Sequence, residues 1–415
     1  MLPAFLLYLL FVVSWFLRFT VRLPVLAAVR FDLILVLAIT ALVLLSPRPV
    51  GLRASHPTAS SLLILILFII GTIPFVEWPG SVIKNGTEDF LKALVFYYFT
   101  AKLLNTERRL GVFLIVFVSA QLFRVVEPLY LHVTEGYWGD AASMANLETL
   151  ERLAGSPYDT INPNGLAFVI LTVIPFLYFL WRLSIAYRMV AAVLIPLMIY
   201  TLVLTGSRSG MIGLLAMGLT ICLQAKRKLV SVLVLSVAAV VAVSFLSPNE
   251  WDRVISIVDP KARNAATAEG RVTGVLEDLE VALRRPLFGH GLGTSQEANA
   301  HFRGSYMRSH NLYTEVAQEL GFVGLALFLR FMLSVLKGFS DARTTLERCN
   351  PDNRRMRLLL DSMQVWLYTC IVFSFASYGL STYQWYLLAG LSAVSQRIVE
   401  RKPEEALSPS YMIAH

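Results

Sequence analysis

Three ionisable residues stand where an anion and a proton could both be handled. Arg208 lies in Thr205-Gly206-Ser207-Arg208-Ser209-Gly210, a tight turn between two apolar runs. A charge so close to lipid is costly and marks a functional position by default, although a long basic side chain can also snorkel to headgroup phosphates. Gly206 and Gly210 allow a ligand to approach the backbone. Arg271 opens a helical segment, where the ordinary alternative is a solvated face residue. His310, in Arg308-Ser309-His310-Asn311-Leu312-Tyr313, stands where a long polar stretch re-enters an apolar run. An imidazole there can accept a proton near neutral pH, or it can be an ordinary surface histidine. The guanidinium fork suits diphosphate oxygens. Two arginines and a histidine on one face would therefore hold a diphosphate with a base beside it. No GxxxxGK[ST] loop occurs, and the acidic residues Glu127, Glu135, Asp140, Glu148 and Glu151 show no metal-ligand pattern. The expected chemistry is that of a lipid diphosphate, without nucleotide.

The elements that must position these groups are membrane helices. The chain has 415 residues, 56% hydrophobic and 15% charged, with mean hydropathy +0.63. Soluble chains are roughly a quarter charged. The deficit excludes a soluble enzyme, a disordered chain and a nucleic-acid-binding domain. The net charge of +8 is explained by Lys and Arg gathered in cytoplasmic loops. Cys222, Cys349 and Cys370 fit neither a disulfide framework nor a zinc site. The apolar N-terminus, Met1 to Phe19, lacks a basic n-region and a cleavage site and is expected to remain as the first span.

With about 20 apolar residues per helical span, twelve candidates lie near 4–19, 30–46, 60–76, 89–104, 110–130, 164–183, 187–204, 209–225, 229–246, 312–336, 358–379 and 383–397. Lys226-Arg227-Lys228, the arginines from Arg343 to Arg357, Lys102-Arg108-Arg109 and Arg397-Arg401-Lys402 then fall on one side. The positive-inside rule makes that side and both termini cytoplasmic. Arg18, Arg22 and Arg30 break the rule, so the first hairpin is its weakest part. Segments 128–164, 205–209 and 247–311 face outward together. The last is too long for an idle connection. It carries His290, His301 and His310 and its own helix, Glu269–Arg285, in which Val272, Val275, Leu276, Leu279 and Leu283 recur at helical spacing. Arg271 and Asp278 lie on the other side of it, and Pro286 stops it. Such a helix would lie on the bilayer surface or pack over the bundle.

The expected architecture is thus all-α and polytopic. N-terminal membrane helices occupy 1–130 and an outer loop 131–163. Helices bearing the arginine turn follow at 164–246 and a large outer loop with an amphipathic helix at 247–311. C-terminal helices (312–397) and a cytoplasmic tail (398–415) complete it. A transporter or lipid-linked glycan flippase can have as many spans. However, no internal repeat is visible, and the charges cluster at the outer mouth instead of along a central cavity.

The ordered set of motifs resembles the O-antigen ligase and polymerase superfamily. It comprises the TGSRSG turn, Arg271 and its helix ending in Arg285-Pro286-Leu287-Phe288-Gly289-His290-Gly291-Leu292-Gly293, and Ser309-His310-Asn311 leading to Gln318-Glu319-Leu320-Gly321. Asn162-Pro163-Asn164 is similar to a further element of that group. The resemblance covers about 160–325 and is carried by the order of motifs that are individually weak. It implies a GT-C-like glycosyltransferase of the bacterial inner membrane with its active site facing the periplasm. The donor would be an undecaprenyl-diphosphate-linked glycan. The acceptor would be lipid A–core for a ligase, another carrier-linked repeat for a polymerase, or a protein or exopolysaccharide for other members. Neither metal nor other cofactor is implied. The catalytic residues would be His310, Arg208 and Arg271. Ser207, Asn164, Asn311 and Tyr313 would join the two arginines in contacting the diphosphate or glycan.

Overall fold

The computed structural model describes residues 1–46, 56–143, 149–224 and 266–400. Within them, eleven of the twelve apolar segments form helices; the ninth, 229–246, lies outside the described residues. The N-terminal helices are α1 (Leu2–Leu17), α2 (Phe31–Leu44), α3 (Pro57–Thr72), α4 (Thr87–Leu103) and α5 (Glu107–Glu135). Then come α6 (Pro163–Leu180), α7 (Ile185–Leu204) and α8 (Arg208–Gln224). The loop helices are α9 (Ala266–Arg284) and α10 (Ser295–Arg303). The last three are α11 (Leu312–Cys349), α12 (Arg354–Phe373) and α13 (Tyr383–Glu400). Six of them, α3, α5, α6, α7, α11 and α12, are long and apolar enough to cross a membrane, and α1, α2 and α8 are shorter apolar helices. The chain is a multi-pass membrane protein.

One departure from an all-helical chain is a hairpin, β1 (Gly139–Ser143) paired antiparallel with β2 (Thr149–Leu153), with Gly139 opposite Leu153. Its sequence lacks the apolar alternation that would have announced it.

The helices pack as two groups. In the first, α1 lies between α2 and α5, and α6 touches α5, α7, α8 and α12; in the second, α13 lies between α4 and α11, and α3 packs on α11. Aromatic rings join them. Phe96 lies 5.5 Å from Phe11, and Tyr383 lies 4.8 Å from Phe16 and 6.3 Å from Phe117. Edge-to-face and tilted ring pairs of this kind add to burial alone. The hydroxyl of Tyr8, buried within the cluster, is satisfied by Thr100 Oγ1 at 2.7 Å.

The connections sort to two ends of the bundle. At one end, Asn353 Nδ2 donates to Glu107 Oε2 at 2.8 Å, Arg354 donates to the carbonyl of Arg182, and Arg343 pairs with Asp361 at 3.0 Å. At the other end lie residues 18–30, 73–86, 136–143, 149–162, 205–207, 285–311 and 374–382. Arg22, between α1 and α2, donates to Glu127 Oε1 at 2.7 Å. One of the arginines that break the charge rule is thus neutralised by a carboxylate at its own end.

Candidate functional site

The arginine turn is built from below. Asn162 caps α6 by accepting from Gly165 N at 2.8 Å, and Pro163 supplies the preset φ of a first helical residue. Asn164 is thereby held in the first turn, where its Oδ1 accepts from Ser207 Oγ at 2.9 Å and from Arg152 Nη2 at 3.1 Å. Arg152, on β2, also donates Nε to the carbonyl of Thr205 at 2.9 Å. Ser207 Oγ in turn accepts from Gly210 N at 3.1 Å, which caps the start of α8. Arg208 is the first residue of α8 and is half-buried. Expected to touch substrate, Ser207 is instead fully buried with its hydroxyl committed to the cap and to Asn164. Its work is to shape the turn that presents Arg208.

His310 is exposed, at the other mouth of the same end, with its ring 6.4 Å from that of Tyr378. Asn311 follows as the cap of α11. Its Oδ1 accepts from Tyr313 N at 2.9 Å and Thr314 N at 3.3 Å, and its Nδ2 donates to the carbonyl of Phe375 at 3.2 Å. Tyr313 Oη donates to the carbonyl of Ile371 at 3.0 Å. Asn311 and Tyr313 therefore fix His310 against the end of α12 through polar atoms already engaged within the protein. That same end reaches the arginine turn's side, since Phe373 stacks on Phe168 of α6 at 4.5 Å. The end of α12 stands between the two mouths.

Helix α11 is broken at Gly321, whose φ of 69° is the left-handed region favoured by glycine. The break frees two carbonyls, and the glycine-rich turn after α9 takes them. His290 N donates to Gln318 O at 2.8 Å and Gly291 N to Glu319 O at 2.9 Å, while Phe322 N donates to Pro286 O at 2.7 Å. The chains approach so closely that a Cβ on Gly321 would lie 2.5 Å from the carbonyl carbon of Leu287. Two carboxylates one turn apart then staple separate loops to this helix. Glu315 Oε2 accepts from Gly379 N at 2.7 Å and Leu380 N at 3.1 Å; Glu319 accepts from Gly293 N at 2.8 Å and Ser295 N at 3.3 Å. His290 is fully buried, with Nδ1 2.7 Å from Glu77 Oε2 and Nε2 3.0 Å from the carbonyl of Val281. A carbonyl only accepts, so Nε2 carries a hydrogen. This histidine is structural, as its place in a glycine-rich turn suggests.

Helix α9 corrects one expectation and decides another left open. Arg271 lies inside it instead of opening it, because the helix already runs from Ala266. The side chain of Arg271 lies outside the described residues. Of the two placements left open for this helix, it packs over the bundle, and it does so through its polar side. Asp278, Val281 and Ala282 are buried, whereas the apolar Leu276 and Leu283 are 63% and 62% exposed. The reason is polar satisfaction. Asp278 Oδ1 accepts from Arg303 Nη1 at 3.0 Å and Gln318 Nε2 at 3.1 Å, and Oδ2 accepts from Thr314 Oγ1 at 3.2 Å. Once a buried carboxylate has such partners, its face can turn inward, leaving the leucines outside.

Sequence reading missed Asp278, Arg152, Glu77 and the pair of Arg124 with Asp159. The last is nearly buried, with Arg124 Nε 2.6 Å from Asp159 Oδ2, and Arg124 also donates to Gln121, which reaches Tyr383. The detectable signal for Asp278 was a carboxylate seven residues from Arg271. The partners of the others are distant in sequence. Among the described residues no group of His, Cys, Asp and Glu is arranged to hold a metal.

No curated protein matches the chain. The family described as O-Antigen ligase matches residues 193–329, a segment that begins in α7, contains the arginine turn, α9, α10 and His310, and ends within α11. Over that segment the chain is similar to the O-antigen ligase family, the group that its ordered motifs resemble.

Proposed function

We propose that the chain transfers a glycan from undecaprenyl diphosphate to lipid A–core oligosaccharide, on the periplasmic side of a bacterial inner membrane. The observation that carries this reading is that the family match encloses Arg208, Arg271 and His310 together. It is supported by the grouping of the arginine turn, α9 and His310 at one end of the bundle. The opposite end carries Arg182, Arg343 and Arg354, as a cytoplasmic face would. In this reading the chain has twelve spans, both termini inside, and α9 and α10 in a periplasmic loop between 247 and 311.

The chemistry follows from the groups. The acceptor oxygen attacks the anomeric carbon and the bond to the diphosphate oxygen breaks, inverting the anomeric centre. Negative charge develops on the leaving diphosphate, where Arg208 and Arg271 neutralise it; preorganised donors of this kind contribute a few kcal/mol each, roughly 3. His310 takes the proton of the acceptor hydroxyl. Being exposed at the mouth, it is reachable by an acceptor that stays in the outer leaflet. Asn164, Arg152 and Ser207 set the arginine turn, and Asn311 and Tyr313 set the histidine.

The test is transfer by the purified chain from a carrier-linked glycan, with lipid A–core and a second carrier-linked repeat as rival acceptors. A single glycan added to lipid A–core is the expected product. Elongated carrier-linked chains would make it a polymerase, and the absence of either product would overturn the reading.

A further inference from the structure

Two cavities at the functional end share a rim and differ in chemistry. The first is an apolar groove of about 690 Å³ between α1, α2 and α4, walled by Phe11, Trp15, Ala27, Leu33, Leu91 and Val95. The second is a polar cleft of about 340 Å³, lined by Ser81, Asn85, Gln296, Glu297, Tyr306 and Arg308. Glu88 and Lys92 line both. Both volumes are of the size that holds small ligands. In the cleft, Glu297 accepts from Ser81 Oγ through Oε1 at 2.8 Å, while its Oε2 is buried and receives no hydrogen bond among the described residues. A buried acceptor without a donor is uncommon, and a hydroxyl would satisfy it. Asn85 and Gln296 add amides, and Tyr306, 68% exposed, adds an aromatic face. Such a set suits sugar hydroxyls and ring C–H groups. Arg308 ties the cleft to the histidine, its guanidinium lying 5.4 Å from the centre of the Tyr378 ring that neighbours His310.

We propose that groove and cleft together bind the acceptor glycolipid, its lipid part against α1, α2 and α4 and its sugars between Glu297, Asn85 and Tyr306. This rests on the transferase reading. The acceptor is favoured over the donor because the cleft opens beside His310, the proton-taking group. The arginines assigned to the donor diphosphate lie on α8 and α9, away from the groove. Glu88 and Lys92, paired at 2.8 Å, mark the boundary between lipid and sugar.

Binding of rough-type lipopolysaccharide (lipid A with core sugars only), its lipid-free core oligosaccharide, phosphatidylglycerol and undecaprenyl diphosphate to the full chain in nanodiscs tests this without turnover. Asn85→Ala with Glu297→Gln removes cleft contacts. It should weaken the glycolipid and the free oligosaccharide about tenfold, the scale of one or two lost hydrogen bonds, and leave both other lipids unchanged. Ala27→Trp narrows the groove at an exposed position and should weaken the glycolipid alone. Unchanged glycolipid binding in the cleft variant overturns the proposal. So does an Ala27→Trp effect on phosphatidylglycerol or undecaprenyl diphosphate as large as that on the glycolipid, which would make the groove a site for bulk lipid or for the donor. If the wild-type chain shows this binding pattern yet transfers no glycan, the site stands and the transferase reading falls.

Discussion

Asp278→Ala should loosen α9 from the bundle while the membrane helices stay folded. The carboxylate is 3% exposed and accepts from Arg303, Gln318 and Thr314 between 3.0 and 3.2 Å. Removing one member of a buried ionic cluster typically costs about 3–5 kcal/mol, because the remaining partners lose their counterpart while staying buried. Arg303 moderates this, since its side chain is 22% exposed and it also pairs with Glu277. The lower end, about 3 kcal/mol, is therefore expected, or roughly a hundredfold in the opening equilibrium of α9. Asp278→Asn keeps an acceptor for Arg303 and Gln318, and its amide can donate to the Thr314 hydroxyl. Only the charge is lost, at about 1–2 kcal/mol. Hydrogen exchange of peptides from 273–303 in detergent should rank wild type, Asn and Ala in that order of protection, with peptides from α6 and α12 unchanged. Glycan transfer should fall in the same order, since Arg271 belongs to the helix that Asp278 anchors. Equal exchange of α9 in wild type and Asp278→Ala would show that the polar cluster does not hold the helix, and the reasoning would be wrong.

Three further outcomes are expected. Arg208→Lys keeps the charge but loses the bidentate fork, so transfer should drop sharply at normal membrane expression; full activity would reduce Arg208 to a headgroup anchor. His310→Ala should lower transfer by about 10² to 10⁴, the usual contribution of a positioned base, whereas His301→Ala, an exposed ring edge-on to Phe302, should leave it largely intact. Cys349, exposed at the opposite end, should resist a membrane-impermeant thiol reagent in spheroplasts. A cysteine at exposed Tyr306 should react, and the reverse pattern would invert the topology; Ser295 is unsuitable for this probe, being buried against Glu319.

The helices were legible because lipid demands long apolar runs, and such runs need no knowledge of their neighbours. The caps were read otherwise, Asn311 as a substrate contact and Asn162 as part of a family element, although their residue types could have announced them. Asn162 before Pro163 and Asn311 before Leu312 carry their helix-starting signal in their own residue types. The orientation of α9 was not legible. Its apolar stripe is real, but an amphipathic pattern specifies two faces without saying which one meets protein. In a membrane protein the apolar side has a competing solvent, and the polar side found partners in Gln318 and Thr314, some 40 residues away. Arg152 was invisible for the same reason, since its role depends on a hairpin whose strands have no apolar alternation.

The residues expected to contact substrate divide by what surrounds them. Ser207, Asn311 and Tyr313 have their side-chain polar atoms engaged by backbone groups or caps, so they hold a shape. Arg208 and His310 are the half-buried and exposed members that follow Ser207 and precede Asn311. Each group proposed to act on substrate thus adjoins a capping residue at a helix start: Arg208 opens α8 beside Ser207, and His310 precedes the cap of α11. A capped start fixes the backbone at its most defined point, which is the economical way to aim a long side chain from a loop. The motifs TGSR and SHN are on this view positional devices as much as chemical ones. Asn311→Ala should accordingly impair transfer through misplacement of His310, an effect that Asn311→Asp should rescue only in part, since it keeps the cap but loses the Nδ2 donor to the carbonyl of Phe375. A deficit equal in both variants would show that the cap does not aim His310 and would leave the Phe375 contact as the positioning bond.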